Sequence, residues 1–462
     1  MDARIRELEA ENARLRAENE RQRARIDRLM ARIDNLEAAL EEARREAKRQ
    51  AAPFRKSEGP APDPKKPGRK SGRRHGPHAH RAIPPKIDER YDAPLPKQCP
   101  HCHGRRLSEI GMATQYQTEI PRRPIYREFT IHVGQCRDCG HHVQGRHALQ
   151  TSDAVGAAAS QLGSEAHGAL VLLNKELGLS HGKCAKLFQS LFGIRIARAT
   201  GVRSLLRTAR RAEPAYQQVR QDISGSPWVV PDETGWRVGG KSAWLHVFVG
   251  PRATCYDLGD RSGDIAERLL GADYAGTLIH DGWSVYDGFP RAFHQQCIGH
   301  LQRRCEELLR TAIRRAVSLP RQVLALVEEA FHVRRLWRGH RIDGDERTTA
   351  GLELACRLQD LVEGRFTHEP NRRLAKHILK HGMHWFWFLI DPAIDATNYR
   401  AEQAIRPAVV NRKVWGGNRT WIGARAQRVL TSLLVTLGQR ERDALSWFAA
   451  LLRRRAPLAL PA

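Results

Sequence analysis

A chain of 462 residues is too long for a single hydrophobic core, so several domains are expected. Lys and Arg number 77 against 51 Asp and Glu, a surplus of 26 that favours a polyanionic partner, nucleic acid first. No apolar run approaches the roughly 18 residues that span a bilayer, and MDARIRELEAEN lacks the apolar region of a secretory signal. A membrane partner is therefore disfavoured. The nine cysteines fall in two close pairs and five singles, which suggests reduced thiols and a metal site in a cytoplasmic, nucleoid-associated protein.

Residues 1–48 read as a coiled coil. Ile5, Asn12, Asn19, Ile26, Ile33 and Leu40 fall at one seam position, and Leu8, Leu15, Gln22, Leu29 and Leu36 at the other. Ile at a with Leu at d favours a parallel two-stranded coil, and Asn at a fixes its register. A homodimer or higher oligomer follows; the other reading is a lone charged helix folded on its own domain. Residues 49–94 switch to Pro, Gly and basic side chains, with Lys65, Lys66, Arg69, Lys70, Arg73 and Arg74 in a stretch that has no acid. Such a segment cannot bury a core. It is either a solubilising linker or a basic arm along the DNA backbone, and the charge of the whole chain favours the arm.

Residues 95–150 contain Cys99-Pro-His-Cys102 and Cys136-Arg-Asp-Cys139. Two such knuckles resemble a zinc ribbon, in which four thiolates hold one structural Zn²⁺ in place of a core. His101, His103, His141 and His142 offer alternative ligands, but the four-cysteine site is simpler. Residues 151–225 read as helices around Gly193, either a helix-turn-helix-like DNA-binding domain presenting Arg198, Arg203, Arg207, Arg210 and Arg211, or a plain helical hairpin.

Residues 226–440 begin with strands at Trp228–Val230, Ala243–Val249 and Thr254–Leu258, then a helix at Asp264–Leu270 and a strand at Thr277–His280. Helical periodicity returns from about 302 to 390, and a last long helix carries Glu402. That order is the order of a ribonuclease-H-like α/β domain with a helical insertion. Residues 441–462 should form a C-terminal helix and tail.

Asp232 is expected to close the first strand and Asp281 the fourth, which are neighbours in such a sheet, with Glu402 swinging in from the helix. Three hard oxygen ligands leave room for water and phosphate and suit two Mg²⁺ (or Mn²⁺) ions, which can stabilise both the attacking and leaving oxygens of a phosphoryl displacement. Around Glu402 stand Arg406, Arg412 and Lys413, suited to phosphates. Glu233 should point to the opposite face of the strand. Asp287, Asp391 and Asp395 read as caps or surface acids, and His300 as a packed or phosphate-facing histidine.

The segments PDETGWRV, HDGWSVYDGF, CIGHLQRR and RAEQAIRPAVVNRKVWGGNRT resemble the core motifs of transposases of the insertion sequence sixty-six family, which are DDE transposases. The resemblance extends to the coiled coil, the PGRK-type linker, the zinc ribbon and the helical domain. It implies that Asp232, Asp281 and Glu402 are the DDE triad and that Arg412 and Lys413 are its basic follow-on. Tyr399 departs from the pattern, standing where the family usually has a second Asn after Asn398. The implied activity is cleavage at the terminal inverted repeats of a mobile element and strand transfer into target DNA, with Mg²⁺ and no covalent protein–DNA intermediate, and with possible accessory proteins of the same element. The alternative is a non-catalytic zinc-ribbon DNA-binding regulator that keeps a relic nuclease domain.

Overall fold

The computed structural model describes residues 83–461, with 119, 122, 159 and 160 left out, and four isolated helical positions, Glu11, Arg14, Glu18 and Gln22. The remainder of the expected coiled coil and the basic residues Lys65, Lys66, Arg69, Lys70, Arg73 and Arg74 lie outside the described residues. The chain divides into two compact units, Met1–Glu119 and Ile120–Ala462. From position 83 on, the described residues of the first unit contain no helix or strand, only turns, one of them at Cys99–Cys102.

The second unit opens with a small hairpin, β1 (Val133–Gln135) against β2 (His142–Gln144). Three helices follow: α1 (Ser164–Val171), which runs into a π-helical turn at Leu172–Glu176, α2 (His181–Phe192) and α3 (Arg198–Ser224). Ser180 caps α2 by accepting from the Lys183 N–H, and Gly193 ends it in the left-handed region. So the pair of helices around Gly193 is present, but its second member is 27 residues long and buries Leu205, Ala209, Ala212, Tyr216, Val219 and Ile223 along one face.

The central sheet is mixed, in the order β5 (Thr254–Gly259), β4 (Lys241–Val249), β3 (Trp228–Val238), β6 (Thr277–His280), β7 (Phe293–Gln296). The pairs β3–β4 and β4–β5 are antiparallel; β3–β6 and β6–β7 are parallel. Helix α4 (Asp264–Leu270) makes the crossover from β5 to β6. This mixed sheet with its helices is compatible with a ribonuclease-H-like domain. One departure is β7, which the sequence did not suggest because it is short and polar. Its Gln295 amide is fully buried, donating to the Trp385 carbonyl at 3.0 Å and accepting from the Phe388 N–H at 2.8 Å.

Helices α5 (Ile298–Thr311), α6 (Ser318–Arg338), α7 (Gly344–Val362) and α8 (Glu369–His381) form the insertion, and α9 (Tyr399–Trp415), α10 (Trp421–Gln439) and α11 (Ala444–Arg453) complete the chain. The insertion therefore starts a few residues before the expected position 302. Strand alternation sorts the sheet into two cores. Val230, Trp236 and Val238 of β3 pack with Ala401, Ile405 and Ala408 of α9 and with the insertion helices. Val229, Phe248 and Leu278 pack on the other face against α3 and α10. Among the described residues no helix is long and apolar enough to cross a membrane.

Candidate active site

Asp232 does not close its strand. The β3–β4 ladder continues from Val230↔Val249 to Val238↔Lys241, because Trp236 and Val238 still bury against α9. On its other edge β3 pairs with β6 only at Trp228↔Thr277 and Val229↔Leu278, a register offset of 49 residues. The same offset sets Asp232 level with Asp281 (232 + 49 = 281). By alternation Asp232 follows Val230 toward the face covered by α9, while Asp281 stands directly after β6 ends at His280. Pro231, which has no N–H to give a ladder, lies just below this level.

Glu402 comes from the first turn of α9, whose Ala401 and Ile405 are buried against the sheet while Glu402 remains half-buried. The carboxylates act on one another. Burial above all pushes the Asp232 carboxyl up to about 8, and the charges of Glu233, Asp281 and Glu402 add to the effect. The Asp232 Oδ1 accepts from the neighbouring Glu233 N–H at 2.9 Å, and the Asp281 Oδ1 from the Trp283 N–H at 3.1 Å. His300, in the first turn of α5, joins them: burial lowers its pKa, while Asp281 and Glu402 pull it back up, and its Nδ1 is buried without a partner. The sequence reads this histidine as packed or phosphate-facing; nothing in its spacing places it beside two acids.

The competing acids are otherwise engaged. Glu233 is gripped by Arg261 at 2.9 Å, and that guanidinium lies over the rings of Trp244 and Trp283 at 4.5 and 5.2 Å. Asp287 pairs with Lys380 at 2.7 Å, and Asp395 with Arg400 at 2.6 Å and Arg334 at 3.2 Å. Asp391 accepts from the Ala393 N–H at 2.9 Å. At the start of α9 the Gln403 amide donates to the Tyr399 hydroxyl at 2.6 Å, and the buried Asn398 Oδ1 has no partner.

The donor set suits a hard divalent ion. The strongest charges acting on half-buried Asp232 are all negative, and a divalent cation would relieve them. Among the described residues no three His, Cys, Asp or Glu side chains are gathered into a ligand shell.

The two cysteine knuckles share one local design. Cys99 N–H donates to the Gly104 carbonyl and Cys136 N–H to the His141 carbonyl, at 2.9 and 2.8 Å. The backbone N–H groups of Cys102 and His101 hold the Cys99 thiol below its usual range, and those of Cys139 and Asp138 do the same for Cys136. Each knuckle thus favours the thiolate that a metal requires.

The expected DNA-facing residues divide. Arg203, Arg406 and Lys413 are exposed, and Arg412 is half-buried. Arg207 turns inward and hydrogen-bonds the His167 Nε2 at 2.6 Å, and Arg211 bonds the Leu451 carbonyl at 3.1 Å. Burial drives the inward turn: both lie on the side of α3 next to Ser204, Thr208 and Ala212, which are buried.

A family model described as "Transposase IS66 family" matches residues 160–426. No curated protein matches the chain.

Proposed function

Since the chain belongs to the IS66 family of transposases, we propose that it binds the ends of an insertion sequence and catalyses strand cleavage and strand transfer into target DNA at Asp232, Asp281 and Glu402. What supports this reading is that Asp281 and Glu402 both act on the Asp232 carboxyl, Asp232 lying in β3, Asp281 directly after the neighbouring β6 and Glu402 in the first turn of α9. The three carboxylates would hold two Mg²⁺ or Mn²⁺ ions. Bound there, the ions would supply activation of the attacking oxygen and neutralisation of charge on the leaving oxygen.

The chain's own residues do the rest. Half-buried Asp232 gives up its proton when a cation arrives, because desolvation and like charge are what hold that proton on. His300 offers an unpartnered Nδ1 beside Asp281 and Glu402, suited to a phosphate oxygen or a bound water. Arg406 and Lys413, on the exposed side of α9, and Arg412 provide positive charge for the phosphates around the reacting one. The cysteine knuckles would share one structural Zn²⁺, and the N-terminal heptads would join copies so that one complex holds two DNA ends.

One assay tests the reading: labelled DNA carrying the terminal repeats that flank this protein's own gene, a target plasmid, and Mg²⁺ or Mn²⁺. Cleavage followed by joining is expected. Binding without cleavage would mark a regulator, and cleavage without joining a nuclease. Removing residues 1–48 should weaken pairing of two ends more than binding of one.

A further inference from the structure

The exposed side of α9 has a composition that its packing does not explain. Tyr399, Gln403, Arg406, Val410, Lys413 and Val414 recur at helical spacing on the face turned away from the sheet. From Gln403 to Ile422 the chain has four cationic residues, Arg406, Arg412, Lys413 and Arg419, and no Asp or Glu. The stripe ends at Trp421 and Ile422, the first two residues of α10, whose side chains are 59% and 68% exposed.

These two apolar residues do not sit on a loose loop. The Asn418 Oδ1 accepts from the Trp236 indole at 2.8 Å, and the Asn418 backbone bonds Arg237 and Gly239 at 2.9 and 2.8 Å. Gly417, at φ 109°, passes so close to β3 that an added Cβ would lie 2.5 Å from the Arg237 carbonyl oxygen. Thr420 then caps α10 by accepting from the Gly423 N–H. The turn is clamped to the end of the strand that carries Asp232, yet it holds a tryptophan and an isoleucine out in solvent.

We propose that this surface is a DNA track and that Trp421 and Ile422 are a wedge inserted between base pairs of the bound duplex. The proposal rests on the transposase reading above and adds a contact to it. A run of cationic residues with no acid in its own sequence matches a phosphate backbone rather than a second copy of the chain, and rigidly held apolar side chains are what unstack base steps. From Glu402 to Trp415 the helix rises about 20 Å, or roughly six base pairs of duplex. The distortion should therefore lie about six base pairs from the reacting phosphate.

The test uses the full chain and the same end duplex, with 2-aminopurine placed singly along it and Ca²⁺ replacing Mg²⁺ to hold the reaction. The wild type should give a fluorescence rise centred about six base pairs from the cleaved bond. Trp421→Ala/Ile422→Ala should lose that rise, and its cleavage in Mg²⁺ should fall roughly tenfold, restored largely by a mismatch at the same place. Wild-type cleavage with no fluorescence rise, or a double variant that keeps the rise, overturns the wedge and leaves the transposase reading standing. A rise without cleavage in Mg²⁺ upholds the wedge and overturns the catalytic reading. Loss of self-association in the double variant, seen by sedimentation, would assign the surface to a second copy and overturn the proposal, as would failure of the wild type to bind the duplex.

Discussion

Asp232, within β3, and Asp281, the residue directly after β6, each lie three residues beyond the last pair of two adjacent parallel strands. The ladder ends at Val229↔Leu278, and Pro231 has no N–H with which to continue it, so the strands are released from each other just before the two acids. A crevice beyond the carboxyl ends of parallel strands is where open α/β sheets place their ligands.

The first prediction concerns the triad. Asp232→Asn, Asp281→Asn and Glu402→Gln should each lower strand cleavage by about three orders of magnitude or more, and pairs of them should cost little beyond the singles. Gel-shift affinity for end DNA should stay within a few-fold of wild type. Asp287→Ala and Asp391→Ala should remain active. An active Glu402→Gln enzyme would show that the third carboxylate lies elsewhere.

Asp232 also sets a pH dependence in the metal-free protein. Its folded pKa, about 8, lies above the unfolded value, so the fold keeps a proton that the unfolded chain releases. That stabilisation is present at low pH and is lost as pH rises from about 4 to about 8. In EDTA, Asp232→Asn should gain on wild type by several degrees in Tm between about pH 5 and pH 8.5. Mg²⁺ should raise the wild-type Tm at the upper pH and leave the variant nearly unmoved. Parallel melting curves for the two proteins would contradict the burial of this charge.

Zinc analysis tests the knuckles. Purified protein should contain about one Zn²⁺ per chain, and Cys99→Ser or Cys136→Ser should each release it. A metal content unchanged in both variants would rule out a four-cysteine site.

Lys175 supplies a test of packing away from the site. Its ammonium is buried with the Gln427 Oε1 at 2.6 Å and the Trp415 ring at 5.4 Å, and burial pulls its pKa down to about 8. Between about 8 and the unfolded value the unfolded chain binds a proton that the fold does not, so stability rises with pH across that window. Lys175→Met should therefore stabilise most near pH 7, offset by the partner lost to Gln427. The Tm difference from wild type should shrink by about pH 10. A difference that stays constant with pH would mean that Lys175 is not buried as an ammonium.

How far the sequence could be read differs by element. The Asp264–Leu270 helix and the Thr277–His280 strand have the expected bounds, since compact apolar runs bounded by Gly and Asp leave little choice. The first strand looked shorter than it is: Asp-Glu-Thr-Gly resembles a turn by composition, whereas here it is held by a full antiparallel ladder to β4. Phe293–Gln296 was invisible because buried amides, not apolar alternation, hold it. Asp232, Asp281 and Glu402 could be picked out as acids among basic or apolar neighbours. The approach of His300 to two of them and the Arg261 clamp on Glu233 depend on tertiary contacts with no local pattern.

The helical insertion has a consequence in time. Glu402 is synthesised 121 residues after Asp281 (402 − 281), with α5 to α8 between them. At about 5–20 residues per second, translation takes roughly 6 to 24 s to cross that interval. A chain released anywhere within the insertion would have both strand carboxylates and lack the third. Completion of the proposed site is thus tied to translation of the whole insertion, and products truncated within it cannot assemble it.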